Sequence, residues 1–526
     1  MTTIDTRPKG GWSALPIHPV LLAAFPVVFL FAENTADQLS LNPLWRPLGL
    51  AMAGAAILLT FGAAITRSWL RGALAASLLV VLFFSFGDAW SIIHEPLGLS
   101  RRLPLVIAYA TVAIAGLVLV WRGGRWVIPV TRAANFAAVL LVAFNVVRLA
   151  DFAVTGGRAA AAMSSASPEV QVPDNVRRPD IYYIILDRYA NADTLQEVYG
   201  FDNSSFLAEL ERRGFTVADS SWSNYFKTAL SLSSSLSMDY LDGEALAAVQ
   251  GLERQSFYPA NLMLQGRLAV PATLKSIGYE YIHIGNWWEP SATNVDADVT
   301  VRFEEGAEFS AALLSTTAWM LTQPLNPTEA PDTAETRFLR AREHTLFAFD
   351  RLEDAADRPG PTYVFAHFLV PHTPYVFNAD GTRPTQADLR ARSGDESYLQ
   401  QLLWANERIL RVLDHLLNAP PDEQPVIILQ ADEGPLPDRF AADEGSFDWL
   451  QATPEEIAQK FGILNAVHLP RADATGVGFH DRLSPVNTFR IVFTTYFGAE
   501  LPLLPDRVYL SPTYDRLYHF VEYDRP

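Results

Sequence analysis

Long apolar runs follow one another between Pro16 and Val154, and from about Asp180 the chain changes to short apolar runs separated by amphipathic stretches. About 20 consecutive apolar residues suffice to cross the hydrocarbon core of a bilayer. Five segments qualify as candidate spans: residues 19–32, 47–66, 72–94 (interrupted by Asp88), 103–121 and 133–154. The first is short and holds Pro19 and Pro26, so it also reads as a signal-peptide core behind Arg7 and Lys9. Against that reading, no small-x-small cleavage site follows it and four further spans do. Asp88, Arg148 and Asp151 lie in or near spans; a span end for Asp88 and snorkelling near the outer end for Arg148 and Asp151 account for them.

Beyond the spans, residues 156–180 are rich in Ala, Ser, Pro and Gly and read as a tether. From Ile181 the runs IYYIIL, YEYIHI, TYVFAHF and VIILQ read as buried strands, with amphipathic helices over residues 204–213, 336–352 and 398–417. Continuous apolar strands alternating with helices imply a mainly parallel sheet covered on both faces. The expected organisation is a membrane domain over residues 1–154 with about five helices, a linker over 155–180, and an α/β domain over 181–526.

Charge divides the same way. The net charge of -18 separates into +6 up to residue 160 and -24 after it. An acidic large domain argues against nucleic-acid binding, which needs a basic footprint. With the N-terminus in the cytoplasm, inner segments carry seven Lys/Arg (Arg7, Lys9, Arg67, Arg71, Arg122, Arg125, Arg132) and outer loops three (Arg46, Arg101, Arg102). That asymmetry orients a multi-pass plasma-membrane protein, and an odd number of spans puts the large domain outside the cytoplasm. The absence of cysteine excludes disulfides, thiolate nucleophiles and Cys-ligated zinc.

In parallel sheets ligands bind beyond the carboxyl ends of the strands, so polar residues ending strands are the candidates. Asp187 ends the first strand, in ILDRYAN. Thr228 opens a helix, in SNYFKTALSLSSSL, where free N–H groups favour an anion. His367 and His372 lie at and past a strand end, in FAHFLVPHTPY, and Asp432 and Glu433 end another, in IILQADEGP. Alternation within an apolar strand makes His367 read as a satisfied core histidine.

The order of these motifs resembles the sulfatase-like branch of the alkaline phosphatase superfamily, in particular membrane-anchored lipoteichoic acid synthases and phosphoethanolamine transferases. The resemblance runs from about Pro179 to near the C-terminus and implies an alkaline phosphatase/sulfatase-like fold. It makes Thr228 the nucleophile and a metal ligand, Asp187 and Asp432 metal ligands, and His372 a binder of the substrate phosphate or leaving group. It implies one divalent metal, a phospholipid headgroup or envelope glycan as substrate, and an extracytoplasmic phosphotransferase or phosphodiesterase.

Glu433 departs from the family pattern, which has histidine there. An all-oxygen set of Asp187, Thr228, Asp432 and Glu433 favours Mn, Mg or Ca over Zn. The same departure keeps open a catalytically inactive domain that binds envelope glycan or a partner. A phosphate or sulfate ester hydrolase is a further alternative, although formylglycine chemistry lacks its Cys or S-x-P-x-R serine. Lys227 and Arg188, beside Thr228 and Asp187, are candidate phosphate contacts. His283 and Trp287, in YIHIGNWWEP, are candidates for a sugar or headgroup, or else an aromatic cover on the sheet edge.

Overall fold

The computed structural model describes residues 15–34, 41–94, 96, 101–162, 168, 170, 178–249, 257–266, 268–303, 307–322 and 334–526. Most of the expected linker lies outside these residues. The chain divides into two units: residues 1–154 with 304–337, and residues 155–303 with 338–526.

In the first unit the apolar runs fold as five helices: α1 His18–Glu33, α2 Asn42–Thr66, α3 Trp69–Ile93, α4 Leu103–Arg122 and α5 Val127–Ala162. Among the described residues, four of these, α2 to α5, are long and apolar enough to cross a membrane. At 16 residues, α1 reaches only about 24 Å. Side-chain contacts set the helix directions. His18 at the start of α1 meets Ser77 in the first half of α3 (Nδ1 to Oγ, 2.5 Å), and its N–H donates to Asn135 Oδ1 near the start of α5 at 3.0 Å. At the other end of α1, Glu33 pairs with Arg148 of α5, so α1, α3 and α5 run parallel. Gly72 lets α2 and α3 close tightly, since a Cβ there would lie 2.3 Å from the Ala63 nitrogen. Asp88 lies inside α3 rather than at its end, because the helix continues to Ile93. Helix α5 likewise runs on to Ala162, through the first residues of the expected tether. Four consecutive alanines, Ala159–Ala162, are the strongest helix formers available there.

The second unit is built on a seven-stranded sheet: β1 Ile181–Leu186, β2 Thr216–Val217, β3 Glu280–Ile284, β4 Val299–Val301, β5 Thr362–Phe368, β6 Val426–Gln430 and β7 Asn465–His468. The strand order is β2-β7-β6-β1-β5-β3-β4. Strands β6, β1, β5, β3 and β4 run parallel, and β7 and β2 close one edge antiparallel. Every residue of β1 is buried. Ile181, Tyr183 and Ile185 enter one core and Tyr182, Ile184 and Leu186 the other, the two-residue alternation of a strand covered on both faces. The three central strands, β6, β1 and β5, therefore deliver their carboxyl ends to one place.

Candidate metal and phosphate site

Those three ends carry the chemistry. Asp187 follows β1, and its N–H donates to the Phe368 carbonyl at 2.9 Å, tying it to β5. His367 stands opposite Ile185 in the register of β5 against β1, and Asp432 lies just past β6. One ligand atom from each of Asp187, His367 and Asp432 falls within 4.8 Å of the others, and all three residues are buried. His367 Nε2 is 3.6 Å from Asp187 Oδ2. Asp187 Oδ1, His367 Nε2 and both Asp432 carboxylate oxygens are buried without a hydrogen-bond partner.

Unpaired buried polar atoms are costly, and one ligand atom from each of three such residues within 4.8 Å of the others fits a divalent cation. On its other side the His367 ring is held by Ser291 Oγ, 3.0 Å from Nδ1, and by Asn286 Nδ2, which lies 3.1 Å from Nδ1 and donates to the His367 carbonyl at 2.9 Å. These partners leave Nε2 on the side of the carboxylates, 3.6 Å from Asp187 Oδ2, and a partner that orients the far nitrogen is what a metal-ligating histidine requires. Trp288 packs edge-on against the His367 ring at 6.2 Å.

The two carboxyls are pushed apart. Burial, with the nearby Asp187 charge adding to it, raises Asp432 to about 7. For Asp187, burial alone would act upward, but His372, His367 and Arg188 hold its carboxyl below the usual carboxylate range. Like charges sharing a dry site behave this way until a cation neutralises them.

Thr228 is half-buried at the first position of the ten-residue helix Thr228–Ser237. Its hydroxyl is near enough to Asp432 to draw that pKa down, without completing a hydrogen bond of standard geometry. The earliest N–H groups of this helix to bond within the chain are those of Leu230 and Ser231, both to the Lys227 carbonyl. His372 is half-buried, and its N–H donates to the Asp187 carbonyl at 3.2 Å. Burial lowers its pKa against the opposing pull of Asp187. Asp187, Thr228, Asp432 and His372 thus gather at one sheet edge.

Glu433 is occupied differently from the all-oxygen set. Its Oε1 accepts from Lys460 Nζ at 2.7 Å and Arg188 Nε at 3.1 Å, with Lys460 fully buried. Its Oε2 has no partner, but the carboxylate stands outside the Asp187–His367–Asp432 group. Burial alone would raise Glu433, but Lys460, Arg188 and Lys227 hold it low. His367 brings a nitrogen instead, so the ground for ranking Mn, Mg or Ca above Zn is gone, because imidazole suits zinc.

Arg188 adopts a left-handed backbone, φ 64°, unusual for a non-glycine residue. That turn, with the Tyr398 hydroxyl donating to the Arg188 carbonyl at 2.9 Å, brings its side chain to Glu433 directly after Asp187. The Lys227 ammonium is held by Glu444 at 2.7 Å and lies over the Phe440 ring. His283 is a satisfied core residue, with Nδ1 3.1 Å from the Tyr281 hydroxyl and Nε2 2.9 Å from the Ser291 carbonyl. Trp287 packs against the second core as a partly buried side chain. Reading His367 as a core histidine missed a ring nitrogen aimed at the site. The strand-end rule marks that position; the alternation rule hid it.

No family model matches the chain, and no curated protein matches it. Among solved structures it is similar to the zinc-complexed periplasmic domain of EptC from Escherichia coli, at 11% identity over 64% of this chain and 87% of that one, TM-score 0.41. It is similar to the integral membrane lipooligosaccharide phosphoethanolamine transferase A of Neisseria meningitidis, at 13% identity over 91% and 95%, TM-score 0.38. An alkaline phosphatase superfamily protein from Vibrio parahaemolyticus matches at 11% identity over 68% and 81%, TM-score 0.38.

Proposed function

We propose that the chain is a membrane-anchored, extracytoplasmic phosphotransferase or phosphodiesterase that depends on a divalent metal and uses Thr228 as nucleophile. The observation that carries the proposal is the set of four unpartnered buried atoms on Asp187, His367 and Asp432 beside a threonine that opens a helix. A cation held by these residues would lower the pKa of a hydroxyl and offset charge on the transferred group.

The chain's own residues supply the rest. Thr228 Oγ1 bonds to phosphorus as the ester bond to the leaving alcohol breaks, and the departing oxygen takes the bonding electron pair. The neutral imidazole of His372 takes the hydroxyl proton of Thr228 and passes it to that oxygen, leaving a free alcohol and the rest of the diester esterified to Thr228. An acceptor hydroxyl or water then forms the new bond to phosphorus and gives its proton to His372, and Thr228 Oγ1 leaves with the bonding pair and takes that proton back. The N-terminal amides of the helix and the terminal nitrogens of Arg188, whose Nε alone is engaged by Glu433, face the non-bridging oxygens. A lipid headgroup donor fits an enzyme anchored in the same membrane, because anchoring raises effective concentration.

Glu433, which motivates the inactive-domain alternative, is accounted for as the counterion of Lys460 and Arg188, so its carboxylate does not by itself disable the site. The test is turnover of bis(4-nitrophenyl) phosphate, the aryl monoester and the aryl sulfate by wild type and Thr228→Ala, with metal content measured on both. Diester turnover that needs Thr228 is expected. Preference for monoester or sulfate would favour the hydrolase alternative, and absence of any bound metal would favour the binding domain.

A further inference from the structure

The chain leaves the α/β unit after Phe303 and rejoins it at Phe338, and the residues between belong to the membrane unit. Residues 307–322 read AEFSAALLSTTAWMLT, with Glu308 as the one charged residue. They fold as a helix, Ala307–Ser315, and a short 3-10 turn, Ala318–Leu321. Phe309 and Leu313 are buried in one cluster with Val27, Val28 and Phe31 of α1. The Gly87 N–H of α3 donates to the Thr316 carbonyl at 2.8 Å. A Cβ at Gly87 would lie 2.0 Å from the Ser315 carbonyl oxygen, so glycine is what allows the approach. Arg102, before α4, donates from Nη1 to the Met320 carbonyl at 2.6 Å.

These contacts fix a level. Gly87 precedes the end of α3 at Ile93 by six residues, about 9 Å along the axis. Arg102 and the Arg148–Glu33 pair lie toward the same end of the bundle, where charged side chains mark the membrane–water boundary.

Two properties suit this segment to an apolar medium. Leu314 and Trp319 are 40% and 47% exposed, an outward face that is apolar. The hydroxyls of Ser315, Thr316, Thr317 and Thr322 each donate to the carbonyl three residues earlier, at 2.6, 2.8, 2.9 and 2.8 Å. Side chain and backbone satisfy one another without water, as an apolar medium demands.

We infer that Ala307–Leu321 is an interfacial membrane element, lying in the headgroup–acyl boundary with Leu314 and Trp319 against lipid chains. An apolar helix at such a boundary sits about 5–10 Å deep, which agrees with the level set by Gly87. Through Arg102 the segment is tied to the start of α4, a span whose Ile107 is 58% exposed. The stretch of chain between β4 and β5 therefore adds its own lipid contact to the first unit.

The chain has no cysteine, so single cysteines report without background. Ala312→Cys, Leu314→Cys and Trp319→Cys are introduced in the intact chain in lipid nanodiscs. Ile114→Cys in α4 and Val295→Cys in the α/β unit, 64% and 72% exposed, calibrate lipid and water. Labels at 314 and 319 are expected to react with a membrane-impermeant maleimide about tenfold more slowly than at 295. A bimane there should be quenched more by a nitroxide near the headgroup than by one deep in the acyl chain, with the reverse order at 114. Labelling as fast as at 295 puts the element in water, and slow labelling without quenching by either lipid puts it under protein; either result overturns the inference. Ala312, exposed and small, gives the same readout if replacing Leu314 or Trp319 disturbs packing.

Discussion

Replacing Glu433 with glutamine distinguishes a counterion from a metal ligand, because the two roles predict different dependence on pH. Lys460 is fully buried, and its ammonium meets Glu433 Oε1 at 2.7 Å and the Gly434 carbonyl at 3.3 Å. Burial lowers its pKa to about 8, with Glu433 opposing the shift, against about 10.4 for an unfolded lysine. The native pKa lies below the unfolded one, so this group makes stability rise with pH between about 8 and 10.4. Without the Glu433 charge the amine gives up its proton at still lower pH. At pH 7 that forfeits about one pH unit of proton binding in the native state, about 1.4 kcal/mol, and at pH 6 up to about 2.7 kcal/mol. At pH 9 wild-type Lys460 is mostly neutral already, and this part of the deficit vanishes. Thermal unfolding of the intact protein at pH 6, 7 and 9, with metal content measured alongside, reads the effect. The expected deficit of Glu433→Gln shrinks as pH rises, metal is retained, and Lys460→Met added to it removes the pH dependence. A deficit equal at pH 6 and pH 9, or loss of the metal, would refute the counterion role.

Other consequences follow from the same geometry. His367→Ala should abolish stoichiometric metal binding, and Ser291→Ala, which removes a hydroxyl 3.0 Å from His367 Nδ1, should weaken it by about 10–100-fold, read by competition with a metal-sensitive dye. Apparent metal affinity should fall by about tenfold or more per pH unit below the raised Asp432 pKa of about 7, because binding must displace that proton; a flat profile between pH 5 and 7 would contradict it. Arg188→Lys should raise KM for a phosphodiester while leaving metal content unchanged, since a point charge cannot present two parallel donors to phosphoryl oxygens.

Much of this architecture was legible because burial on both faces leaves a plain trace. IYYIIL, TYVFAHF and VIILQ are strands in the structure, and their ends converge because neighbouring parallel strands share a direction. The gathering of Asp187, Thr228, His372 and Asp432 followed from that rule. The ligand set did not, because which of several buried polar groups faces the others depends on turns and partners far apart in sequence. Glu433 is drawn away by Lys460, 27 positions on, and Arg188 reaches it only through a left-handed turn. His367 carries the strand alternation of a core residue and differs from His283 only in what its outer nitrogen meets. The helix through Ala162 overrode a compositional tether, since alanines in sequence with a long helix prolong it. The grouping of residues 304–337 with the first unit was hidden because residues 307–321, with Glu308 and four Ser or Thr among them, are too few and too polar to announce a span.

The central claim is a covalent phosphoryl group on Thr228, formed in a protein holding a metal at Asp187, His367 and Asp432. Acid quenching of the metal-loaded intact protein during turnover of bis(4-nitrophenyl) phosphate, followed by peptide mass spectrometry, tests it directly. The account predicts a 4-nitrophenyl phosphoryl adduct on the peptide containing Thr228, absent in Thr228→Ala and in His367→Ala. Undiminished turnover by Thr228→Ala, or an adduct on another residue, would contradict it.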